Sequence, residues 1–82
     1  MNIEIYGTEW CGSCQQAKKL CEVNQYNFTY TDVDDTTSLR QLEERLGQKV
    51  RSVPQIFLDG IHIPSGYSGL KQELEKNNHV TQ

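Results

Sequence analysis

The residues best suited to chemistry are the two thiols of Trp10-Cys11-Gly12-Ser13-Cys14, a Cys-x-x-Cys placed where an opening strand gives way to a helix. Unpaired backbone N–H groups and the positive end of the macrodipole stabilise an anion at a helix N-terminus, so this position favours the thiolate of Cys11. Cys11 is then the expected nucleophile of thiol–disulfide exchange. Cys14, one helical turn deeper, is close enough to close a redox-active disulfide with Cys11 and release a reduced product. Two other readings of the pair compete. A structural zinc site requires about four ligands, and outside the pair only Cys21, His62 and His79 remain to supply them. Two inert packed thiols are the other possibility, but a Cys just after a strand, beside Gly and Ser, is more often exposed than packed. Cys21 shares the inward helix face with Cys14 and Ala17, where a free Cys behaves as a small core hydrophobe.

The elements that must hold these thiols follow from periodicity. Residues 2–6 alternate, with Ile3 and Ile5 on one face and Glu4 and Tyr6 on the other, which is a strand pattern. Cys14, Ala17 and Cys21, with Leu20 alongside, mark one face of a helix over residues 11–23. Residues 27–33 alternate again, Phe28 and Tyr30 against Thr29, Thr31 and Val33, and are rich in β-branched side chains. Ser38-Leu39-Arg40-Gln41 fits a capping box, Leu39, Leu42 and Leu46 form a helical stripe, and Gly47 is the expected stop. The acidic residues Asp32, Asp34 and Glu43 have a partial calcium-loop register. Thr37, however, stands where such a loop needs Gly, and the capping box explains the segment better.

Residues 55–58, the pair Asp59-Gly60 and residues 61–63 read as a hairpin with a type I′ turn. A last helix is expected over residues 68–77 with Tyr67, Leu70 and Leu74 inward, followed by a polar tail from His79 that frays. The order β-α-β-α-β-β-α predicts an α/β protein. Its first half is a right-handed parallel βαβ unit, and the whole is a four-stranded mixed sheet with helices on both faces.

Composition sets the limits of this reading. Leu, Ile, Val and Phe together make up 19 of 82 residues, enough for a fold but a thin core. The chain is expected to be a single domain over residues 1–82. A formal charge of -3 argues against a nucleic-acid binder, and the longest apolar run, Ile56-Phe57-Leu58, is far too short for a membrane span. With no basic and apolar leader at Met1-Asn2-Ile3-Glu4, free thiols point to a reducing cytoplasm. Three cysteines are too few for a disulfide scaffold. Val53-Pro54 precedes the apolar third strand. Base rates favour an ordinary trans proline there, whereas a cis bond would expose the Val53 backbone to a peptide-like ligand.

Taken together, the Ile-x-Ile-Tyr strand, the Cys-x-x-Cys, Val53-Pro54-Gln55-Ile56-Phe57 and the Gly-containing segment before the last helix resemble the glutaredoxin family of the thioredoxin superfamily. The resemblance implies a thioredoxin fold with the hairpin beside the first strand, a cis Pro54 facing the thiols, and a dithiol glutaredoxin. Such a protein reduces protein disulfides and glutathione mixed disulfides, with glutathione as reductant and no tightly bound cofactor. It implies Cys11 as the attacking, glutathionylated thiol and Cys14 as the resolving one. It also implies glutathione contacts at Val53, Pro54, Tyr67 and Ser68, with the last helix's N-terminus holding the γ-glutamyl carboxylate. Expected partners are glutathione and disulfide-containing proteins, ribonucleotide reductase among the candidate electron acceptors, for a chain acting as a monomer.

The departures from the family pattern are specific. Cys-Gly-Ser-Cys replaces the usual Cys-Pro-Tyr-Cys, and its Trp-Cys-Gly start resembles thioredoxin. Thr8 stands where a Lys commonly pairs with a glutathione carboxylate. Ser68-Gly69 lacks the usual carboxylate for the γ-glutamyl ammonium. Lys49 and Arg51 are the expected compensating cations, with Arg51 assigned to the glutathione site. Ser65-Gly66-Tyr67 is similar to NrdH-type redoxins, which take electrons from thioredoxin reductase, and this is the alternative within the enzyme class. A glutathione-assisted iron–sulfur carrier is the alternative outside it.

Overall fold

The computed structural model describes residues 1–79. The elements run β1 (Asn2–Gly7), α1 (Gly12–Val23), β2 (Asn27–Asp32), α2 (Thr36–Leu46), β3 (Gln55–Leu58), β4 (Ile61–Ile63) and α3 (Gly66–His79). The strands form one sheet in the order β2-β1-β3-β4, with β1 and β2 parallel and the other pairs antiparallel. The expected mixed sheet is present, and the hairpin lies beside β1. Ile3 is in register with Phe28 on one side and Leu58 on the other, so β1 is one of the two inner strands, and the thiol segment emerges from it.

Alternation along β1 and β3 divides the core into two layers. Ile3, Ile5, Ile56 and Ile63 face α1 and α3, where they pack with Ala17, Cys21, Leu70 and Leu74. The opposite face carries the smaller cluster of Val33, Leu42 and Phe57, covered by α2 with Leu39 and Leu46. There the Arg45 guanidinium stacks 3.7 Å from the Phe57 ring centroid and forms a two-pronged ion pair with Glu4, at 2.7 and 3.0 Å. That pairing holds the Glu4 carboxyl below its usual range, chiefly through the hydrogen bond from Arg45.

Turn chemistry explains most of the connections. Asp59 and Gly60 both have positive φ, 50° and 83°, as a type I′ turn requires. Gly47 closes α2 in the left-handed region at φ 73°, its N–H bonded to the Glu43 carbonyl. The capping of α2 differs from the sequence expectation. Asp35 is the N-cap, its carboxylate accepting from the Ser38 N–H at 3.3 Å and the Ser38 hydroxyl at 2.8 Å, so the helix starts two residues before Ser38. A carboxylate caps as well as a hydroxyl and also complements the helix dipole. The last helix likewise starts earlier than expected, at Gly66, and still includes His79; residues 80–82 lie outside the described residues. Among the described residues no helix is long and apolar enough to cross a membrane.

Candidate functional site

Cys11 is the N-cap of α1, in extended backbone conformation. Its sulfur occupies the place a capping oxygen normally takes, accepting the Cys14 N–H at 3.2 Å. The helix terminus therefore directs a donor at Cys11 Sγ. The same sulfur lies 3.7 Å from the Val53 carbonyl, to which its S–H donates, and the Val53–Pro54 peptide is cis. The cis isomer is the one the family resemblance implies and the base rate opposes.

Cys14 has a different environment. It is fully buried beneath Cys11, and burial is the main reason its thiol is pushed up to about 11, with the neighbouring Cys11 adding to the effect. The two sulfurs are thus differentiated by position. One is partly open at a helix start; the other is held as a neutral thiol one turn below. Cys21 is equally buried, packs in the α1/α3 layer as its helix face predicts, and is also pushed up to about 11, chiefly by burial. All three cysteines are free thiols in this structure. Among the described residues no cluster of three or more His, Cys, Asp or Glu side chains could hold a metal ion.

Beside Cys11 runs a groove of about 240 Å³ lined by Ser13, Ser52, Val53, Pro54, Pro64, Ser65, Gly66, Tyr67 and Ser68. Tyr67 and Ser68 lie in the first turn of α3, where backbone N–H groups lack helical partners. Gly66 makes this approach possible: it has φ 64°, and a Cβ there would sit 3.3 Å from the Pro54 carbonyl oxygen. Four residues named from the sequence, Val53, Pro54, Tyr67 and Ser68, therefore line one groove. Arg51 does not. It lines, with Lys49 and His62, a neighbouring cleft of about 380 Å³ on the other side of Ser52, and Ser52 and Pro64 border both.

Sequence reasoning missed the support behind the thiols. Gly7 ends β1 directly against Cys14. A Cβ on Gly7 would fall 2.6 Å from Cys14 Sγ and 2.8 Å from the Tyr30 hydroxyl oxygen, so only glycine fits between them. The Tyr30 hydroxyl donates to the Thr8 carbonyl at 2.8 Å. Gln15 Nε2 donates to the same carbonyl at 3.0 Å and to the Tyr30 oxygen at 3.2 Å. Thr8, which stands at the family's Lys position, is buried with its Oγ1 unpaired, so it brings no charge to the groove. The signal for this cluster lay in a glycine at a strand's end and a tyrosine on the inward face of β2. Neither is informative without the third dimension. Trp10 is exposed next to Cys11, its indole N–H donating to Asp34 at 3.2 Å.

The chain is similar to known proteins in sequence and in fold. Glutaredoxin 1 of Escherichia coli is 30% identical, the alignment covering 94% of this chain and 96% of the relative. The crystal structure of glutaredoxin 1 from Francisella tularensis, complexed with cacodylate, matches at TM-score 0.71 and 28% identity over 99% of this chain and 98% of that one. A buckwheat glutaredoxin in complex with glutathione shares the fold at TM-score 0.71 and 23% identity, covering 96% of this chain and 73% of its own. The glutaredoxin family model matches residues 3–63. A thiol pair split between a helix cap and a buried position, on this fold and with these relatives, places the chain in the glutaredoxin family of thiol–disulfide oxidoreductases.

Proposed function

We propose that the chain is a dithiol glutaredoxin that reduces protein disulfides and glutathione mixed disulfides with electrons from glutathione. The observation that carries this reading is the position of Cys11 Sγ, capping α1 and 3.7 Å from the Val53 carbonyl at the head of a groove that ends on the first turn of α3. An extended cysteinyl peptide can hydrogen-bond to the Val53 backbone beside the cis proline, its own sulfur taking the place beside Cys11, and the N–H groups of Tyr67 and Ser68 suit a terminal carboxylate. Glutathione has both features. Arg51, from the adjoining cleft, adds a cation for its second carboxylate.

In the proposed cycle the Cys11 thiolate attacks a substrate disulfide, forming a Cys11 mixed disulfide and expelling one substrate thiolate, which takes up a proton. Cys14 loses its proton and attacks Cys11 Sγ, forming the Cys11–Cys14 disulfide and freeing the second substrate thiol. One glutathione thiolate then opens that disulfide at Cys11. A second attacks the resulting mixed disulfide, so glutathione disulfide leaves and the dithiol is restored. Disulfide-bearing enzymes such as ribonucleotide reductase are candidate acceptors in a reducing cytoplasm.

Turnover supplied either with glutathione and glutathione reductase, or with thioredoxin reductase alone, tests the electron source. Activity with the first pair is expected. Activity with the second alone would replace this reading by the NrdH-like one, which the Ser65-Gly66-Tyr67 segment resembles.

A further inference from the structure

The least expected feature of the site is the hydroxyl behind it. Cys14 must lose a proton before it can attack, yet it is fully buried, and burial opposes the thiolate there. Two neighbouring groups favour the anion, the Thr8 backbone and the Tyr30 side chain. The Tyr30 hydroxyl faces the Cys14 sulfur across the glycine-sized gap at Gly7, where a Cβ would fall 2.8 Å from the one and 2.6 Å from the other. Tyr30 already donates to the Thr8 carbonyl, but Gln15 Nε2 donates to that carbonyl as well. The carbonyl therefore has a second donor, and the Tyr30 O–H can leave it without exposing an unpaired acceptor.

We propose that Tyr30 is the positioning residue for the resolving step. Its O–H, bonded to the Thr8 carbonyl in the resting thiol, swings to the Cys14 sulfur as the thiolate forms, while Gln15 keeps the carbonyl paired. The inference rests on Cys14 being the resolving thiol. The step balances simply. Cys14 gives its proton to solvent, its thiolate attacks Cys11 Sγ of the mixed disulfide, the Cys11–Cys14 bond forms, and the outgoing thiolate takes up a proton. Tyr30 donates a hydrogen bond throughout and transfers no proton.

The surroundings suit a hydroxyl that stays protonated. Burial, followed by the neighbouring Cys14, pushes Tyr30 up to about 12, so it remains a donor at any pH at which the thiols work. The charged and titratable groups around it are Cys11 and Cys14, Asp32 at the end of its own strand, and Lys18, whose ammonium lies 5.4 Å from the ring centroid on α1. Lys18 packs on the ring face, so replacing Tyr30 by Phe keeps that contact and removes only the hydroxyl.

The test follows the two chemical steps separately. Reduced protein is mixed with glutathione disulfide, quenched in acid, and resolved by mass into the Cys11 mixed disulfide and the Cys11–Cys14 form between pH 5 and 10. Tyr30→Phe is expected to form the mixed disulfide at the wild-type rate. It is expected to resolve it roughly tenfold more slowly near neutral pH, the size of one hydrogen bond to a charged group, with the pH midpoint of resolution moved upward. Gln15→Leu, which ties the Tyr30 O–H to the Thr8 carbonyl, is expected to slow resolution in the same direction although Tyr30 is intact. Carbon-13 titration of the Cys14 Cβ in the Cys11→Ser background gives a second readout that needs no turnover, and its midpoint is expected to rise in Tyr30→Phe. An unmoved midpoint in both measurements, or equal slowing of both steps at every pH, overturns the role of Tyr30. A Cys14→Ser protein that still converts the mixed disulfide onward at the wild-type rate overturns the assignment of Cys14 itself, and the proposal with it.

Discussion

The two faces of the sheet are built from different materials. Toward α1 and α3 the strands present Ile3, Ile5, Ile56 and Ile63, and the helices answer with Ala17, Cys21, Leu70 and Leu74. Toward α2 three buried side chains, Val33, Leu42 and Phe57, are supplemented by the Arg45–Glu4 ion pair and the stacking of Arg45 on Phe57. The thiols stand at the end of the first layer. A nucleophile whose sulfur must meet a backbone carbonyl and a second thiol needs support that does not shift, and close-packed apolar contacts with one glycine-sized gap supply it. The second layer can be more polar because it only has to cover the sheet.

The largest expected effect is on the thiol-bearing layer. Leu70→Ala removes a fully buried side chain among the strand isoleucines and should cost about 2–5 kcal/mol by denaturant titration. A loss below about 1 kcal/mol would mean that this layer is not the stiff one.

Next is the response to alkali. Cys14 and Cys21 have folded values of about 11 against an ordinary 9.0, so the folded state keeps their protons longer than the unfolded chain does. Their contribution is fully present below about pH 9 and is lost as pH rises through about 11, on the order of 2 kcal/mol for each thiol. Closing the Cys11–Cys14 disulfide removes one of these titrations. The oxidised protein should therefore lose less stability between pH 9 and 11 than the reduced protein, and identical pH profiles of the two would contradict the burial of Cys14.

Gly7→Ala tests the glycine-sized gap itself. The new methyl would meet Cys14 Sγ at 2.6 Å, and overpacking of this kind costs about 1–3 kcal/mol. The accompanying sign is a change in Cys14 reactivity, which thiol mapping by mass reads directly.

The smallest effect belongs to the other face. Arg45→Met gives up a partly exposed ion pair and a cation–π contact, about 1 kcal/mol in all. Because Glu4 is held below its ordinary value, that contribution is present above about pH 4.5 and is lost as pH falls. The difference between wild type and variant should shrink in acid and in high salt, and turnover should not change.

How much of this was legible in the chain depends on the range of the forces involved. The alternation of β1, the Asp59-Gly60 turn and the Gly47 stop are local signals, and each appears where expected. The cap of α2 was displaced because Asp35 and Ser38 are both good caps, and the choice depends on where β2 ends. The end of α1 falls at Val23 as its periodicity predicts, but the closure beyond it carries no glycine. Gln25 takes φ 59°, while its N–H and that of Tyr26 bond back to the Glu22 and Cys21 carbonyls, a closure usually left to glycine. The thiol pair was visible in the sequence as a motif, and its supports were not. Gly7, Thr8, Gln15 and Tyr30 are each unremarkable locally and gain meaning only when β1, α1 and β2 meet behind Cys14.

The most direct test of the central claim, that Cys11 attacks and Cys14 resolves, is the Cys14→Ser protein assayed on a glutathione mixed disulfide and on a protein disulfide that requires two thiols. The account predicts that reduction of the first continues, with glutathione found on Cys11, while reduction of the second by the two-thiol route is abolished. Equal loss of both activities, or glutathione on a cysteine other than Cys11, would contradict it.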